Sequence, residues 1–147
     1  CKRLGLIEGK VLPKPLIEFC LKNDVLGDPI ISREHIEIMQ LADKSEMKAI
    51  TAITFRVADF LTGFFSMMDI QLIDFKIEFG RFKVANKTHE VILADEISPD
   101  NCRLWDIKTS QKLDKDRFRE DLGGLIESYS DIANRMSIQL PELKAEK

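Results

Sequence analysis

Cysteine is scarce and badly placed for cross-linking. The three present, Cys1, Cys20 and Cys102, fall in no CxxC or Cys/His spacing, so neither a zinc site nor a paired disulfide framework is indicated and a reducing compartment fits best. An excess of one charge is lacking too. Against 25 acidic residues stand 22 basic ones, a net charge of -3, with Lys and Arg spread along the chain; no long-range field favours nucleic acid, and no nucleic-acid partner is expected. No continuous apolar run approaches the ~20 residues that cross a bilayer, and no secretory leader is read at the start. The expectation is therefore no membrane partner and a cytoplasmic location. Familiar catalytic signatures are also missing: there is no GxSxG, HExxH or Cys/His arrangement, and Gly123-Gly124 sits in neither a GxGxxG nor a P-loop pattern. No internal repeat is found.

What is there is ordinary globular material. The 147 residues are 44% hydrophobic and 32% charged, one domain's worth of chain over 1–147, able to bury about two thirds of its unfolded surface. The first residue is Cys1 and not Met, which suggests a fragment or a processed chain.

Two runs alternate with the period of a strand, Leu72 to Gly80 (LIDFKIEFG) and Val91 to Arg103 (VILADEISPDNCR). In the first, Asp74, Lys76 and Glu78 share one face and Ile73, Phe75, Ile77 and Phe79 the other. The intervening segment is too short for a crossover helix, so the runs are expected to pair as an antiparallel hairpin. An even-numbered loop centred on Asn86 and Lys87 puts Asp95 directly opposite Glu78, on the face that carries Lys76. Facing carboxylates destabilise a sheet unless a divalent cation lies between them, and magnesium takes carboxylate and phosphate oxygens together. The hairpin thus reads as a holder of magnesium and phosphate, with a solvated charged face as the alternative.

Around it, Leu16 to Leu21 reads as a strand and Lys22 to Pro29 (KNDVLGDP) as a loop presenting Lys22, Asn23, Asp24 and Asp28, which can satisfy its own turn or bind a ligand. Ser32 can cap a helix over Arg33 to Gln40, and His35 and His89 read as surface or packing residues. Asp43 with Glu46 starts a long amphipathic helix over Lys44 to Met68 with Ile50, Ile53, Val57, Leu61, Phe64 and Met68 on its apolar stripe, widened by Phe55, Phe60 and Phe65. Its task is to cover the sheet. The Pro99 to Asn101 turn carries Asp100 and Arg103 just past the carboxylate pair, and Arg103 can grip phosphate bidentately or pair with Asp100 or Asp106. Trp105 reads as core. A last helix follows DKDRFR, with Phe118, Leu122, Leu125, Tyr129, Ile132 and Met136 at helical spacing; Gly123 and Gly124 imply close backbone approach or a break. Leu140 to Lys147 reads as a frayed tail. The fold class expected is α+β: a mainly antiparallel sheet covered on one side by two long helices.

LIDFKIEFG resembles the second characteristic motif of the SAICAR synthetase (phosphoribosylaminoimidazole-succinocarboxamide synthase) family, and LADEISPDNCRLWD followed by LDKDRFREDLGG is similar to the next two blocks of that family. KRLGL at Lys2 to Leu6 and KNDVLGDP resemble it in the same order, so the resemblance covers nearly the whole chain. It implies an ATP-dependent carbon-nitrogen ligase of purine biosynthesis, in which ATP activates the carboxylate of carboxyaminoimidazole ribonucleotide and the amine of L-aspartate displaces phosphate. By the same carry-over, Glu78 and Asp95 bind Mg2+ with ATP, Lys76, Asp100 and Arg103 face the ribonucleotide, and Asp74 and Arg119 are further candidates. The loop with Lys22, Asp24 and Asp28 faces the active site in the family. The resemblance also implies the larger, ATP-grasp-like C-terminal part, lacking a smaller N-terminal nucleotide-binding domain and so inactive alone; bacterial members are often dimers, and a homodimer is one state it allows. FKVANKTHE is longer than the tighter turn with which the family often closes this hairpin. Two other readings compete: a different ATP-dependent ligase or kinase-like enzyme using the same hairpin, and a non-catalytic domain that binds a partner through the Phe- and Met-rich helix face.

Overall fold

A computed structural model describes residues 2–83 and 89–140. The chain divides into two compact units, 1–53 and 54–147. Asn86 and Lys87, the expected hairpin tip, lie outside the described residues, as does the tail beyond Leu140.

In the first unit the expected strand over 16–21 shrinks to β1, Phe19–Cys20, paired antiparallel with β2, Ile30–Ile31. The shortening has a local cause. Lys22 to Pro29 turns back at once through a single 3-10 turn at Asp24–Leu26, with Gly27 and Asp28 in the left-handed region at φ 69° and 49°. Helix α1, Arg33–Ile38, begins where Ser32 caps it: Ser32 Oγ accepts the His35 N–H at 3.3 Å, and His35 Nδ1 accepts the Ser32 N–H at 3.1 Å. His35 is therefore the second half of a capping box. Helix α2, Lys44–Ser66, starts the same way, with Asp43 Oδ1 accepting from Ser45 and Glu46 and Glu46 Oε2 accepting from Asp43. The boundary between the units falls within α2.

α2 tests the membrane expectation, because it contains an 18-residue stretch long and apolar enough by composition to cross a bilayer. Arg56 and Asp59 interrupt it near the middle, where a bilayer interior penalises charge, and Leu61 and Phe65 are buried in the core of the second unit. Val57, Phe64 and Met68 pack against the same core, so the C-terminal part of the apolar stripe is used in packing. Phe60, at 68% exposure, falls off it, contrary to the expectation that it widens the buried face, and Phe55 is exposed too.

The second unit is built from two antiparallel ribbons and two helices on one side of the first ribbon. β3, Ile70–Phe75, pairs with β6, Cys102–Asp106; β4, Glu78–Phe82, pairs with β5, Glu90–Ala94. The expected α+β class holds, with two-stranded ribbons in place of one sheet. Each alternating run is thus broken in two, β3 from β4 at Lys76-Ile77 and β5 from β6 at residues 95–101. A bulge at Ile73 shifts the β3/β6 register: Leu72 lies opposite Leu104, then Asp74 opposite Arg103 and Phe75 opposite Cys102. The extra residue turns Leu72 inward while keeping Asp74 on the outer face. The core joins Ile70, Cys102, Leu104 and Leu113 to Leu61 and Phe65 of α2 and Ile132 of α4, Leu125–Arg135. Trp105 lies on the outer face with Gln71, half-buried, with Lys112 Nζ 5.9 Å from its ring centroid.

The last predicted helix is two. α3, Asp116–Arg119, stops, and α4 starts after Gly123 and Gly124, which take φ values of 66° and 64° that side chains disfavour. The glycine pair marks the break. Phe118 and Leu122 consequently lie exposed, outside the core that their spacing suggested.

Candidate functional site

The break in the hairpin places the chemistry. Between β5 and β6, residues 95–101 leave the ladder and fold on themselves: Asn101 Oδ1 accepts the Ser98 N–H at 2.9 Å, Asn101 Nδ2 donates to Glu96 O at 2.6 Å, and Ser98 Oγ accepts the Asp100 N–H at 3.2 Å. Lys76 N donates to Asn101 O at 2.8 Å, tying the loop to the β3–β4 junction. Asp74, Lys76, Glu78, Asp95, Asp100 and Arg103 are thereby all carried on this hairpin and its loop.

Glu78 lies opposite Ala94, not opposite Asp95. The pair Phe82 and Glu90 leaves an odd-numbered connection, residues 83–89, where an even one was expected, and this moves the register by one. Asp95 is the next residue along, at the end of β5 with φ 75°, its Oδ1 accepting the Glu96 N–H at 2.9 Å. Lys76 Nζ stands 3.6 Å from Glu78 Oε1. Among the described residues no group of three or more His, Cys, Asp and Glu converges as a metal nest. A register moved by one residue turns a side chain to the other face of a ladder, so the strand pairing itself does not set Glu78 and Asp95 face to face as expected; magnesium held with a nucleotide asks the protein for only one or two carboxylates.

Arg103 is the most constrained cation of the set. From the outer face of β6 it donates through Nε to Asp116 Oδ2 at 2.6 Å and through NH1 to Asp74 Oδ2 at 2.7 Å. These are its partners, in place of the Asp100 or Asp106 expected for a structural ion pair. Burial works against its charge, yet the hydrogen bonds it donates to Asp116 and Asp74 prevail and raise its pKa further. Its side chain keeps 45% exposure, and its second terminal nitrogen has no acceptor among the described residues.

Asp116 was not singled out in sequence. It is 6% exposed, and burial alone would raise its pKa, but Arg119 at 2.6 Å on Oδ1 and Arg103 on Oδ2 bring it below the ordinary value. Beneath it, Asp114 is 1% exposed and accepts two backbone N–H groups at 2.8 Å, from Leu104 and Asp116. Desolvation pushes the Asp114 pKa up. Asp100 has both oxygens engaged, by Lys115 Nζ at 2.8 Å and Tyr129 Oη at 2.5 Å, and these bonds lower its pKa. Burial first, then Asp100, raises the pKa of the Tyr129 phenol. The alternation of Asp114 and Asp116 within DKDRFR is a signal for the first two; Tyr129 has none, since the glycine break decides where α4 sets it. Cys102 is buried in the core with its thiol raised by desolvation to about 11, which leaves it inert.

In the first unit, the loop residues expected to bind substrate are turned on their own backbone. Asn23 Oδ1 accepts from Leu26 at 3.1 Å, Asp28 Oδ1 accepts from Asn23 at 2.8 Å, and Lys22 Nζ pairs with Asp24 Oδ1 at 2.9 Å.

The comparisons with known proteins agree with one another. The family model described as SAICAR synthetase matches residues 1–136. Curated phosphoribosylaminoimidazole-succinocarboxamide synthases from Pelagibacter ubique and Phenylobacterium zucineum are each 56% identical over 137 residues, 93% of this chain and 52% and 54% of theirs. The chain therefore spans about half the length of these relatives. Among solved structures, the synthase from Ehrlichia chaffeensis matches with a TM-score of 0.88 at 40% identity over 95% of this chain and 59% of its own. A SAICAR synthetase in complex with ADP matches with a TM-score of 0.85 at 44% identity, covering 97% of this chain and 59% of that one. The sequence blocks, the α+β ribbons they form and these matches make the chain a member of the SAICAR synthetase family.

Proposed function

We propose that this chain forms part of an ATP-dependent ligase that joins L-aspartate to carboxyaminoimidazole ribonucleotide, and that it carries the ribonucleotide and magnesium side of the site. The observation that carries this reading is Arg103, a guanidinium locked between Asp74 and Asp116 yet still open to solvent. A cation fixed in this way by carboxylates is preorganised for a second, external anion, and phosphate suits its planar donor array. The relative solved with ADP supports nucleotide use.

In this reading Arg103 takes an anionic group of the ribonucleotide and Lys76 another. Asp100, held ionised by Lys115 and Tyr129, accepts hydrogen bonds from substrate hydroxyls on the lone pairs these partners leave. Asp74 and Asp116 hold Arg103, and Arg119 pairs with the other oxygen of Asp116. Glu78 and Asp95 would hold magnesium together with ATP phosphates, and the ion would neutralise charge on them as the carboxylate is activated. Lys22, Asp24 and Asp28 retain a substrate-side role in the intact site. No covalent nucleophile is needed, because transfer of this kind rests on positioning and charge neutralisation. Alone, a polypeptide of these 147 residues has negligible synthetase activity, and the cytoplasm is its compartment.

The test uses an enzyme of the relatives' full length that includes this sequence. Glu78→Gln and Asp95→Asn each lower magnesium-dependent turnover by about a hundredfold or more with unchanged circular dichroism. Arg103→Ala chiefly raises the KM for the ribonucleotide. Wild-type turnover in either carboxylate variant removes the metal assignment, and an Arg103→Ala enzyme altered only in its ATP dependence removes the ribonucleotide assignment.

A further inference from the structure

Asp116 is the only near-buried carboxylate among the described residues that divides its two oxygens between two arginines: Oδ2 on Arg103 and Oδ1 on Arg119, each at 2.6 Å. Its own position is set from below, since its N–H is taken by the buried Asp114, which with its other oxygen holds Leu104 of β6, the neighbour of Arg103. The chain of bonds runs from the core to both guanidinium groups without a flexible link. Arg119 also reaches Asp100 O at 3.4 Å, so its far end leans toward the loop that carries Asp100. An ordinary surface ion pair needs none of this apparatus.

We infer that Asp116 is a positioning residue that holds Arg103 and Arg119 side by side as a twin-guanidinium clamp for one doubly charged anion, the phosphate of the ribonucleotide. The inference rests on the reading of Arg103 given above and extends it. Two guanidinium groups on one carboxylate can each turn unused donors to the same phosphate, whereas either alone would swing on its long stem; the fixed carboxylate removes that freedom before the ligand arrives. Asp116 itself touches no substrate.

The experiment is steady-state kinetics in the full-length enzyme carrying this sequence, with Asp116→Asn, Arg103→Ala and the double variant. Asp116→Asn raises the KM for the ribonucleotide about tenfold, moves the KM for ATP much less and lowers kcat less than it raises that KM. Because Asp116 acts through Arg103 as well as Arg119, Asp116→Asn costs less in the Arg103→Ala background than in the unsubstituted enzyme, so the double variant falls short of additivity. Equal effects on both substrates, an unchanged ribonucleotide KM, or full additivity overturns the proposal. Arg103→Lys, at a half-exposed site, keeps the charge and loses the fork; it should behave like Arg103→Ala, and a wild-type KM in that variant overturns the clamp even where Asp116→Asn does not fold. An Arg103→Ala enzyme with normal ribonucleotide dependence is a different failure: it removes the ribonucleotide reading itself and the clamp with it.

Discussion

Asp106 binds more donors than any substrate-side carboxylate does, and its role is to hold the fold. Its Oδ1 accepts the N–H groups of Lys108 and Thr109 and the Thr109 hydroxyl at 2.7–2.9 Å, while Oδ2 takes Arg135 of α4 at 2.7 Å. The Arg135 and Thr109 bonds hold its pKa far below the ordinary range. A carboxyl whose folded pKa is depressed contributes stability that is complete above its unfolded value, about 3.9, and is lost as pH falls through the folded one. Asp100 and Asp116 share this sign; Asp114, raised by burial, opposes it. Urea midpoints should therefore fall on acidification below about pH 5, and Asp106→Asn should lower the midpoint at neutral pH and flatten that decline. An Asp106→Asn protein with the wild-type slope would show that the ionised carboxylate is not what ties α4 to β6.

Glycine at the level of an element has opposite effects in two places. Gly124 begins α4 at φ 64°, where an added Cβ would also stand 3.2 Å from an Arg117 guanidinium nitrogen. Gly124→Ala should destabilise by about 1–2 kcal/mol. Gly63 lies in α2 with ordinary helical backbone, and a Cβ there meets nothing within 4 Å, so Gly63→Ala should stabilise by roughly 0.5–1 kcal/mol. Thermal melts of the two variants, moving in opposite directions, check both statements. The glycine break was legible because two adjacent glycines are costly in a helix, and the start of α2 was legible because Asp43 and Glu46 form a local, reciprocal cap. The strands were legible only as periods. Nothing local marks Ile73 as the extra residue that turns Leu72 toward Leu104, since the bulge is settled by core packing between residues far apart in sequence. The same holds for Glu78 and Ala94, whose register depends on a connection whose length parity no single residue announces. Arg103 and Asp100 were legible as polar groups past a turn, but Asp116 and Tyr129, which fix them, are brought in from α3 and α4 by tertiary folding.

At the scale of the molecule, the candidate residues are distributed unequally along the chain. Asp74, Lys76, Glu78, Asp95, Asp100, Arg103 and Arg119 all belong to the unit 54–147, whereas the loop with Lys22, Asp24 and Asp28 belongs to 1–53. The chain spans about half of its curated relatives, so catalysis and binding are separable expectations. Among the described residues, the carboxylates that hold Arg103 and Arg119 all lie within 54–147, and a ligand that binds the folded state raises stability by RT ln(1 + [L]/Kd), about 2.7 kcal/mol at a hundredfold excess over Kd. A polypeptide of these 147 residues should accordingly melt several degrees higher with carboxyaminoimidazole ribonucleotide while forming no product with ATP, magnesium and L-aspartate. Arg103→Ala should abolish the shift, read against the variant's own unliganded melting point, which also falls because one oxygen of the near-buried Asp116 loses its arginine. A melting point indifferent to the ribonucleotide in the unsubstituted chain would mean that the guanidinium pair is built for the fold and not for the ligand, and product formation by the chain alone would mean that the nucleotide half of the site is already contained in it.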